Sequence, residues 1–470
     1  MKSSEAIQGK NAGNYRIGLG EKLGFGSFAM SLDIATNFIA TFFLFFLTDV
    51  FGISPALAGT VLLLGTIWDA VNDPLIGYYS INRRFKNGEI ARPYAKWFAL
   101  PTALIFILLF TAFNIPMSIR FIYIVVIYLI YDTFSTFLRI PSGSMPTLAS
   151  GNVKDRIGFS VFSTAGSSIG VIIATLVCWP LINALSGVDE MGGLINPRTG
   201  FIGGSALAAL VILGGTLFFY ANTKERVMPL KDIKDKISTI DALKMLIGSR
   251  EWVNNTLYML FYNLSIIFVT ASIVYYATYV LNDPGAVTIL LGAYIATSLL
   301  TLPFVGIIHR KLGRKNLMIL AAGILVLSKL YFIFDPANMV AVVINGALMG
   351  IGVAFSIVAF STNRAEIADL IEWKDGRRIE NMISAMSSFI SKLGLALGNF
   401  IIGLILEITG YRGEFSVQPR EAIGAINSFM GTIPMALAAL MLIVAFRSKI
   451  VEAVSKMMNE KEKMNEESAK

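Results

Sequence analysis

Trp68 to Gly77 reads Trp-Asp-Ala-Val-Asn-Asp-Pro-Leu-Ile-Gly and lies near the end of a long apolar run that begins around Pro55. Two carboxylates therefore stand where lipid or protein interior would normally exclude them. At helical spacing Thr66, Asp69 and Asp73 fall at i, i+3 and i+7 with Asn72 beside them, so one face presents several oxygen ligands. A charge at mid-bilayer depth costs about 2.5–3.5 kcal/mol, so two on one helix need a stabilising partner such as Na⁺, a proton or a basic side chain. The chemistry these residues suit is the cradling of a small hard cation, with Asp69 and Asp73 as its metal ligands if the ion is Na⁺. A plainer alternative has the acids pinning a loop end by pairing with Arg83 or Arg84. The position of Asp69, two turns inside the apolar stretch, weighs against it.

A second stripe falls between about 119 and 140, where Asp132, Thr136 and Arg139 share one helical face. Either these groups take part in recognising a ligand, or Asp132 forms an inward ion pair that fixes helix packing.

The elements that must hold these groups follow from composition. Of 470 residues 55% are hydrophobic and only 15% are charged, whereas soluble proteins average nearer 25% charged. The reading is an all-α, polytopic membrane protein. One cysteine, Cys178, excludes an intrachain disulfide, and one histidine, His309, leaves little material for imidazole chemistry or a zinc site. The net charge of +8 is scattered through short loops between apolar helices, which points to membrane orientation and to no nucleic-acid partner. The first twenty residues are polar, and the first apolar segment is too long for a leader, so no cleaved signal is expected.

Stretches able to cross about 30 Å of hydrocarbon fall at 23–48, 54–80, 95–113, 119–140, 157–184, 201–221, 253–280, 285–308, 316–334, 339–362, 380–409 and 423–446. The expectation is twelve transmembrane helices. The fifth and eleventh are rich in Ser and Gly, which suits close helix packing. Basic residues gather on one side, at Arg83, Arg84, Lys86, Arg92, Lys154, Arg156, Lys224, Arg226, Arg310, Lys311, Arg314 and Lys315. The opposite loops hold Arg120, Arg198, Arg412 and Arg420 and no lysine, which places both termini in the cytoplasm.

The expected domains are an N-terminal segment 1–22, a six-helix bundle over 23–221, a charge-mixed linker at 222–251, a second six-helix bundle over 252–447 and a cytoplasmic tail at 448–470. The linker carries Lys231, Asp232, Lys234, Asp235 and Lys236. The tail alternates charges without a useful apolar face and reads as frayed. Lys329, inside the ninth helix, is expected to snorkel outward unless an acid pairs with it. Most of the five tryptophans fall near helix ends and read as interface anchors.

Glycine and basic residues follow the second helix of each half, Gly77, Arg83, Arg84 and Gly88 in one and Gly306, Arg310, Lys311, Gly313, Arg314 and Lys315 in the other. These loops resemble the signature loop of the major facilitator superfamily, whose fold is two bundles rocking about a midplane site. Further markers are Gly24-Phe25-Gly26, Thr48-Asp49, Trp68 through Pro74, Arg92-Pro93, Ile140-Pro141, Pro146-Thr147, Ala368-Asp369, Gly376 through Arg378, Glu380 and Lys392-Leu393-Gly394. Nearly end to end, the chain resembles the glycoside-pentoside-hexuronide:cation symporters, of the melibiose-permease-like kind. The resemblance implies a secondary transporter with no cofactor, partnered by a sugar, a co-transported Na⁺ or H⁺ and the lipid of a bacterial-type inner (plasma) membrane. It implies a cation site at Asp69, Asn72, Asp73 and Thr136, and substrate contacts at Asp33, Asp132, Arg139, Ser388 and Lys392.

The pattern breaks in the fourth and fifth helices. The family's helix-four carboxylate falls on Arg139, its aromatic near Gly143 and the following arginine near Thr164. Asp33 and Arg139 are then expected either to pair or to leave Arg139 facing an anionic substrate, a hexuronide or sulfonated sugar, since a guanidinium suits bidentate contact with such groups. Neutral and acidic sugars both stay open, as does oligomeric state. On the cytoplasmic side Arg310, Arg314, Glu366, Asp369, Arg377 and Arg378 are expected to form a gating network of ion pairs. Among rival classes, Tyr131-Asp132 resembles half of an intramembrane aspartyl protease motif, but no Gly-x-Gly-Asp partner lies in any helix, so the chain reads as no enzyme. A non-transporting membrane sensor is the remaining rival.

Overall fold

The computed structural model describes residues 17–150, 152–189, 193–227, 239–376, 380–415 and 417–468. Helix follows helix throughout. The first half contains α1 (Leu19–Phe45), α2 (Pro55–Asn82), α3 (Arg92–Leu109), α4 (Met117–Ala149), α5 (Val153–Ile172), α6 (Cys178–Ser186) and α7 (Pro197–Asn222). A π-helical turn extends α1 over Phe46–Val50, and another, Ile173–Val177, joins α5 to α6. The remainder contains α8 (Thr239–Gly248), α9 (Arg250–Tyr279), α10 (Ala286–Leu312), α11 (Arg314–Phe334), α12 (Met339–Asp375), α13 (Glu380–Ile408), α14 (Arg420–Met430), α15 (Thr432–Arg447) and α16 (Ile450–Ser468).

Helix ends follow local chemistry. Prolines open α2, α3 and α7 within their first two positions, where no backbone N–H is needed. Asn152 accepts from the Lys154 amide, Ser249 from Trp252, and Asn338 from Val340 and Ala341. Gly376 closes α12 at φ 68°, a left-handed cap that any side chain would strain.

Among the described residues, eleven helices are long and apolar enough to cross a membrane. The expected crossing at 95–113 forms as α3 but is not one of the eleven. Its 18 residues begin with Arg92, Pro93 and Lys96 and include Pro101, so its apolar stretch is shorter and more interrupted than those of the eleven.

The chain divides into two compact units. The first comprises Met1–Asp232 with two short segments, Asn282–Thr288 and Tyr411–Val417, and the second comprises the rest. In the first, α1 packs between α5 and α7, while α2 and α3 both pack on α4. Glycine explains the closest of these approaches. A Cβ at Gly166 would stand 1.9 Å from the Gly26 carbonyl oxygen, and one at Gly170 2.6 Å from that of Met30. This is small-residue packing of the kind expected for the fifth helix. The core beside it is aromatic: Phe38 meets Phe110 edge-on at 4.7 Å, and Phe42 stacks on Trp179 at 5.2 Å. Within the same unit Trp179 Nε1 donates to the Pro284 carbonyl (2.7 Å) and the Tyr411 hydroxyl to Asp49 Oδ1 (2.6 Å). Trp179 is thus a core residue and no interface anchor.

In the second unit α9 packs on α13 and α15, and α11 on α12 and α15. Here the tail departs from expectation. Over α16, Ile450, Val454 and Met457 recur at i, i+4 and i+7 and are buried against Leu246, Trp252, Ile367, Ile371 and Ile383. A narrow apolar stripe was present among the alternating charges, and it docks the helix. The linker residues Lys231, Asp232, Lys234, Asp235 and Lys236 lie outside the described residues.

Candidate functional site

Helix α2 carries Pro74 in its interior. Proline donates no hydrogen bond to the carbonyl four residues earlier, so the helix is weakened over the turn that holds Asp69, Asn72 and Asp73. Helix α4 brings polar side chains against this turn. Thr136 Oγ1 donates to Asp73 Oδ1 (2.9 Å) and accepts from Asn72 Nδ2 (3.3 Å). Its hydroxyl therefore uses both its donor and an acceptor position. One turn away Trp68 Nε1 donates to Thr133 Oγ1 (3.0 Å), a second clasp between the same helices. Asn72 is buried, whereas Asp69, Asp73 and Thr136 are half-buried. Asp69 and Asp132 both lie within electrostatic reach of Tyr128 and Tyr131. Two carboxylates, an amide and a hydroxyl thus share one neighbourhood on α2 and α4, a hard-oxygen donor set that suits an alkali cation or a proton. No group of three or more His, Cys, Asp or Glu side chains converges among the described residues.

Arg139 reaches α1 instead of a carboxylate. Its Nη2 donates to Thr36 Oγ1 (2.8 Å) and its Nε more weakly to Ser135 Oγ (3.4 Å). No ion pair joins Arg139 to Asp33 among the described residues, so the pairing considered from sequence is not formed. Asp33 instead accepts at its backbone carbonyl from Asn37 Nδ2 (2.8 Å). Asp33, Thr36 and Asn37 line one face of α1, and the Arg139 side chain stays exposed. Sequence reasoning missed Thr36, Thr133 and Ser135. Thr36 had a usable signal, one turn after Asp33 in a largely apolar stretch.

In the second unit Ser388 is exposed and Lys392 half-buried, one turn apart on α13. Between them Ser391 Oγ accepts from Asn263 Nδ2 of α9 (3.4 Å). Of the expected gating residues, Arg314 and Glu366 form an ion pair between α11 and α12. Arg310 and Asp369 are exposed and make no ion pair among the described residues, while Arg377 and Arg378 lie outside them. Other charges at helix ends pair without having been singled out: Glu21 with Arg226, and Lys374 with Glu251 at 3.4 Å.

Lys329 corrects a further expectation. It does not snorkel. Its side chain is 2% exposed, and Nζ donates to Asn345 Oδ1 (2.9 Å) with Met349 Sδ at 4.0 Å.

Over residues 24–452 the chain matches the model of a family described as MFS/sugar transport protein. It belongs to that family. Its kind is the glycoside-pentoside-hexuronide:cation symporters, and this MFS sugar-transport protein is a carrier and not an enzyme. It is 26% identical to the isoprimeverose transporter of Lactiplantibacillus pentosus over 417 residues, 88% of this chain and 85% of the relative. To the glucuronide carrier protein homolog of Escherichia coli it is 26% identical over 422 residues, 86% and 87% of the two chains. Among solved structures, an inward-facing, unoccupied bacterial homolog of the human lysosomal transporter Spinster matches with TM-score 0.69 at 12% identity, covering 93% of this chain and 97% of that one. The MFS fold of this family member is therefore all-α and multi-spanning, built to move a small solute through a membrane.

Proposed function

We propose that this protein couples a monovalent cation, Na⁺ or H⁺, to the uptake of a sugar or glycoside by alternating access. The cation is held by Asp69, Asn72, Asp73 and Thr136. The sugar is read by Asp33, Asp132 and Arg139 of the first half and Ser388 and Lys392 of the second. The observation that carries the reading is the hydrogen-bond chain Asn72–Thr136–Asp73, because it ties a carboxylate on α2 to an uncharged donor–acceptor on α4. An ion that draws in the Asp73 oxygens must pull on α4 and so on Arg139, three residues further along. Binding of ion and sugar then favour one another, and by linkage each raises affinity for the other equally.

In this reading α3 completes twelve crossings in two six-helix bundles, 23–221 and 252–447, with 222–251 as the link between them. The termini and basic loops lie on the cytoplasmic side of a bacterial-type inner membrane. The Arg314–Glu366 pair belongs to a cytoplasmic network that holds one access state, in which Arg310, Asp369, Arg377 and Arg378 are the other members. Single surface pairs contribute only about 0–1 kcal/mol, so the network must act together.

A second reading takes an anionic sugar as the substrate, with the Arg139 guanidinium as its reader. Its support is the exposed Arg139 side chain held by neutral hydroxyls instead of a carboxylate, and a relative is named as a glucuronide carrier homolog. Purified protein in liposomes separates these readings from each other and from a sensor. Na⁺- or pH-gradient-driven accumulation of isoprimeverose-type disaccharides is expected for the first, and accumulation of glucuronides for the second. Asp73→Asn is expected to abolish gradient-driven accumulation while the protein still melts cooperatively. Undiminished accumulation by that variant would overturn the site assignment.

A further inference from the structure

Helices α2 and α3 pack on α4 and not substantially on each other, leaving a groove of about 600 Å³ between them with Phe137 of α4 as its floor. Its walls are the side chains of Tyr79 on α2 and of Tyr94, Trp97 and Phe98 on α3. Phe98 stacks on Phe137 at 4.4 Å, and Tyr94 on Phe137 at 5.7 Å, so floor and wall form one aromatic surface. Trp97 is 63% exposed and Leu75, at the other lip, 64% exposed, so both are placed to meet lipid. A groove of this size falls in the range that accepts a ligand molecule.

At the loop end stands Arg83. Its guanidinium lies over the rings of Tyr79 and Phe85, at 5.4 and 5.7 Å, which orients it across the groove mouth. The turn that follows holds Phe85 in place, its backbone N–H donating to the Glu89 carbonyl (3.0 Å). The nearby acids are already committed. Glu89 pairs with Arg92 at 2.6 Å, and Glu225 accepts the backbone N–H groups of Ile90, Ala91 and Arg92 at 2.6–2.8 Å. No carboxylate pairs with Arg83 among the described residues, and Arg84 and Lys86 beside it are exposed. The groove thus offers an apolar aromatic channel running into the membrane region and an uncompensated guanidinium at its polar end.

We propose that this groove is a binding site for an anionic phospholipid. One acyl chain lies along Trp97, Phe98 and Phe137, and the phosphate accepts from Arg83. The amphipathic form of the groove selects a lipid over a soluble anion. The unpaired guanidinium, which suits bidentate contact with phosphate, selects an anionic headgroup over a zwitterionic one. With the basic loops on the cytoplasmic side, as proposed above, the lipid comes from the inner leaflet, where anionic headgroups meet basic residues next to the membrane.

The test is tryptophan quenching of the full-length protein in vesicles containing phosphatidylglycerol or phosphatidylcholine brominated on the acyl chain. Brominated phosphatidylglycerol is expected to quench more than brominated phosphatidylcholine at equal mole fraction. Trp97→Phe is expected to remove that excess, because the remaining tryptophans lie off the groove. Arg83→Ala is expected to lower the preference about fivefold, the effect of one basic residue near a charged leaflet. Equal quenching by the two lipids in the wild-type protein overturns the proposal, and this comparison needs no variant to fold. An excess that Arg83→Ala leaves undiminished also overturns it. Loss of the excess on adding millimolar inorganic phosphate at constant ionic strength would assign the site to a soluble anion and likewise sink it.

Discussion

Two polar sites inside membrane helices invite comparison, the α2–α4 cluster of the first unit and the Lys329–Asn345 contact of the second. Both place ionisable groups where hydrocarbon would exclude them, and both rely on a neutral partner. In the first, a threonine hydroxyl stands between an amide and a carboxylate, and the acids are only half-buried. In the second, one lysine at 2% exposure is closed in by an amide carbonyl and a thioether, beside a void of about 20 Å³ lined by Thr270, Tyr294 and Asn345. That void is about large enough for one water and for nothing bigger. Intramembrane charge is by default a sign of function, but a site that must load and release an ion on every cycle needs access. On that criterion the first site suits the cation exchange proposed for it, and the second suits a fixed packing element that joins α11 to α12.

The largest effect that would break this comparison is loss of transport. Asp73→Asn keeps the shape and the acceptor oxygen for Thr136 yet removes the charge, so gradient-driven accumulation should fall to background. Lys329→Met should leave accumulation near wild type, because the apolar side chain fills a similar volume on α11, outside the α2–α4 cluster; orphaning the Asn345 Oδ1 costs stability, about 1–3 kcal/mol, and not transport. Measured in parallel in proteoliposomes, the reverse outcome, with Lys329→Met inactive and Asp73→Asn active, would exchange the two roles. Next in size comes Asn345→Leu, which strands the lysine without its acceptor. A thermal melt in detergent should show a loss of about 3 kcal/mol, the upper part of the range for an orphaned buried polar group and reasonable for a charged one. Adding Lys329→Met to that variant should recover most of the loss, which a merely steric effect of the leucine side chain would not permit.

Much of this was readable in the chain, and the parts that were not have physical reasons. The all-α, multi-spanning fold follows from long apolar runs, a signal that accumulates over about twenty residues and tolerates local exceptions. That signal is thinnest at α3, whose first turns carry Arg92 and Lys96, and the twelfth crossing rests on that helix. The juxtaposition of Asn72 and Asp73 with Thr136 was also legible, because helical spacing puts Asn72 and Asp73 side by side and the family resemblance named the threonine. What stayed hidden depended on contact between distant segments. Nothing near Lys329 in sequence announces Asn345 as its acceptor, since the two lie on different helices. Arg139 could be seen to stand where the family carries its helix-four carboxylate, but whether it would turn to Asp33 or to Thr36 depends on how α1 is rotated against its neighbours. For the tail, the charges outnumbered the three apolar residues, and only the pocket formed by Trp252, Ile367 and Ile371 gives those three a place to be buried.

Thr136 and Thr36 sharpen the comparison at the small end, because Thr136 bonds both Asp73 and Asn72 of α2 and Thr36 accepts from the Arg139 guanidinium of α4. Thr136→Val preserves volume and removes the hydroxyl between Asn72 and Asp73. Of the two bonds lost, the one to the Asp73 carboxylate bears on the ion and is worth about 1 kcal/mol, or roughly fivefold in apparent cation affinity. The maximal rate should change less, because both carboxylates stay. Thr36→Val is the smaller change, since Arg139 keeps its contact with Ser135 and its charge. If Arg139 reads an anionic sugar, freeing the guanidinium should shift the half-saturating concentration of a glucuronide by about threefold, within the spread for a weak single bond, and leave that of a neutral disaccharide where it was. If Arg139 only tethers α4 to α1, both substrates should shift together. The ratio of the two shifts, not the size of either, decides between the neutral and the anionic reading, and a change in global stability moves both half-saturating concentrations alike and cancels from the ratio.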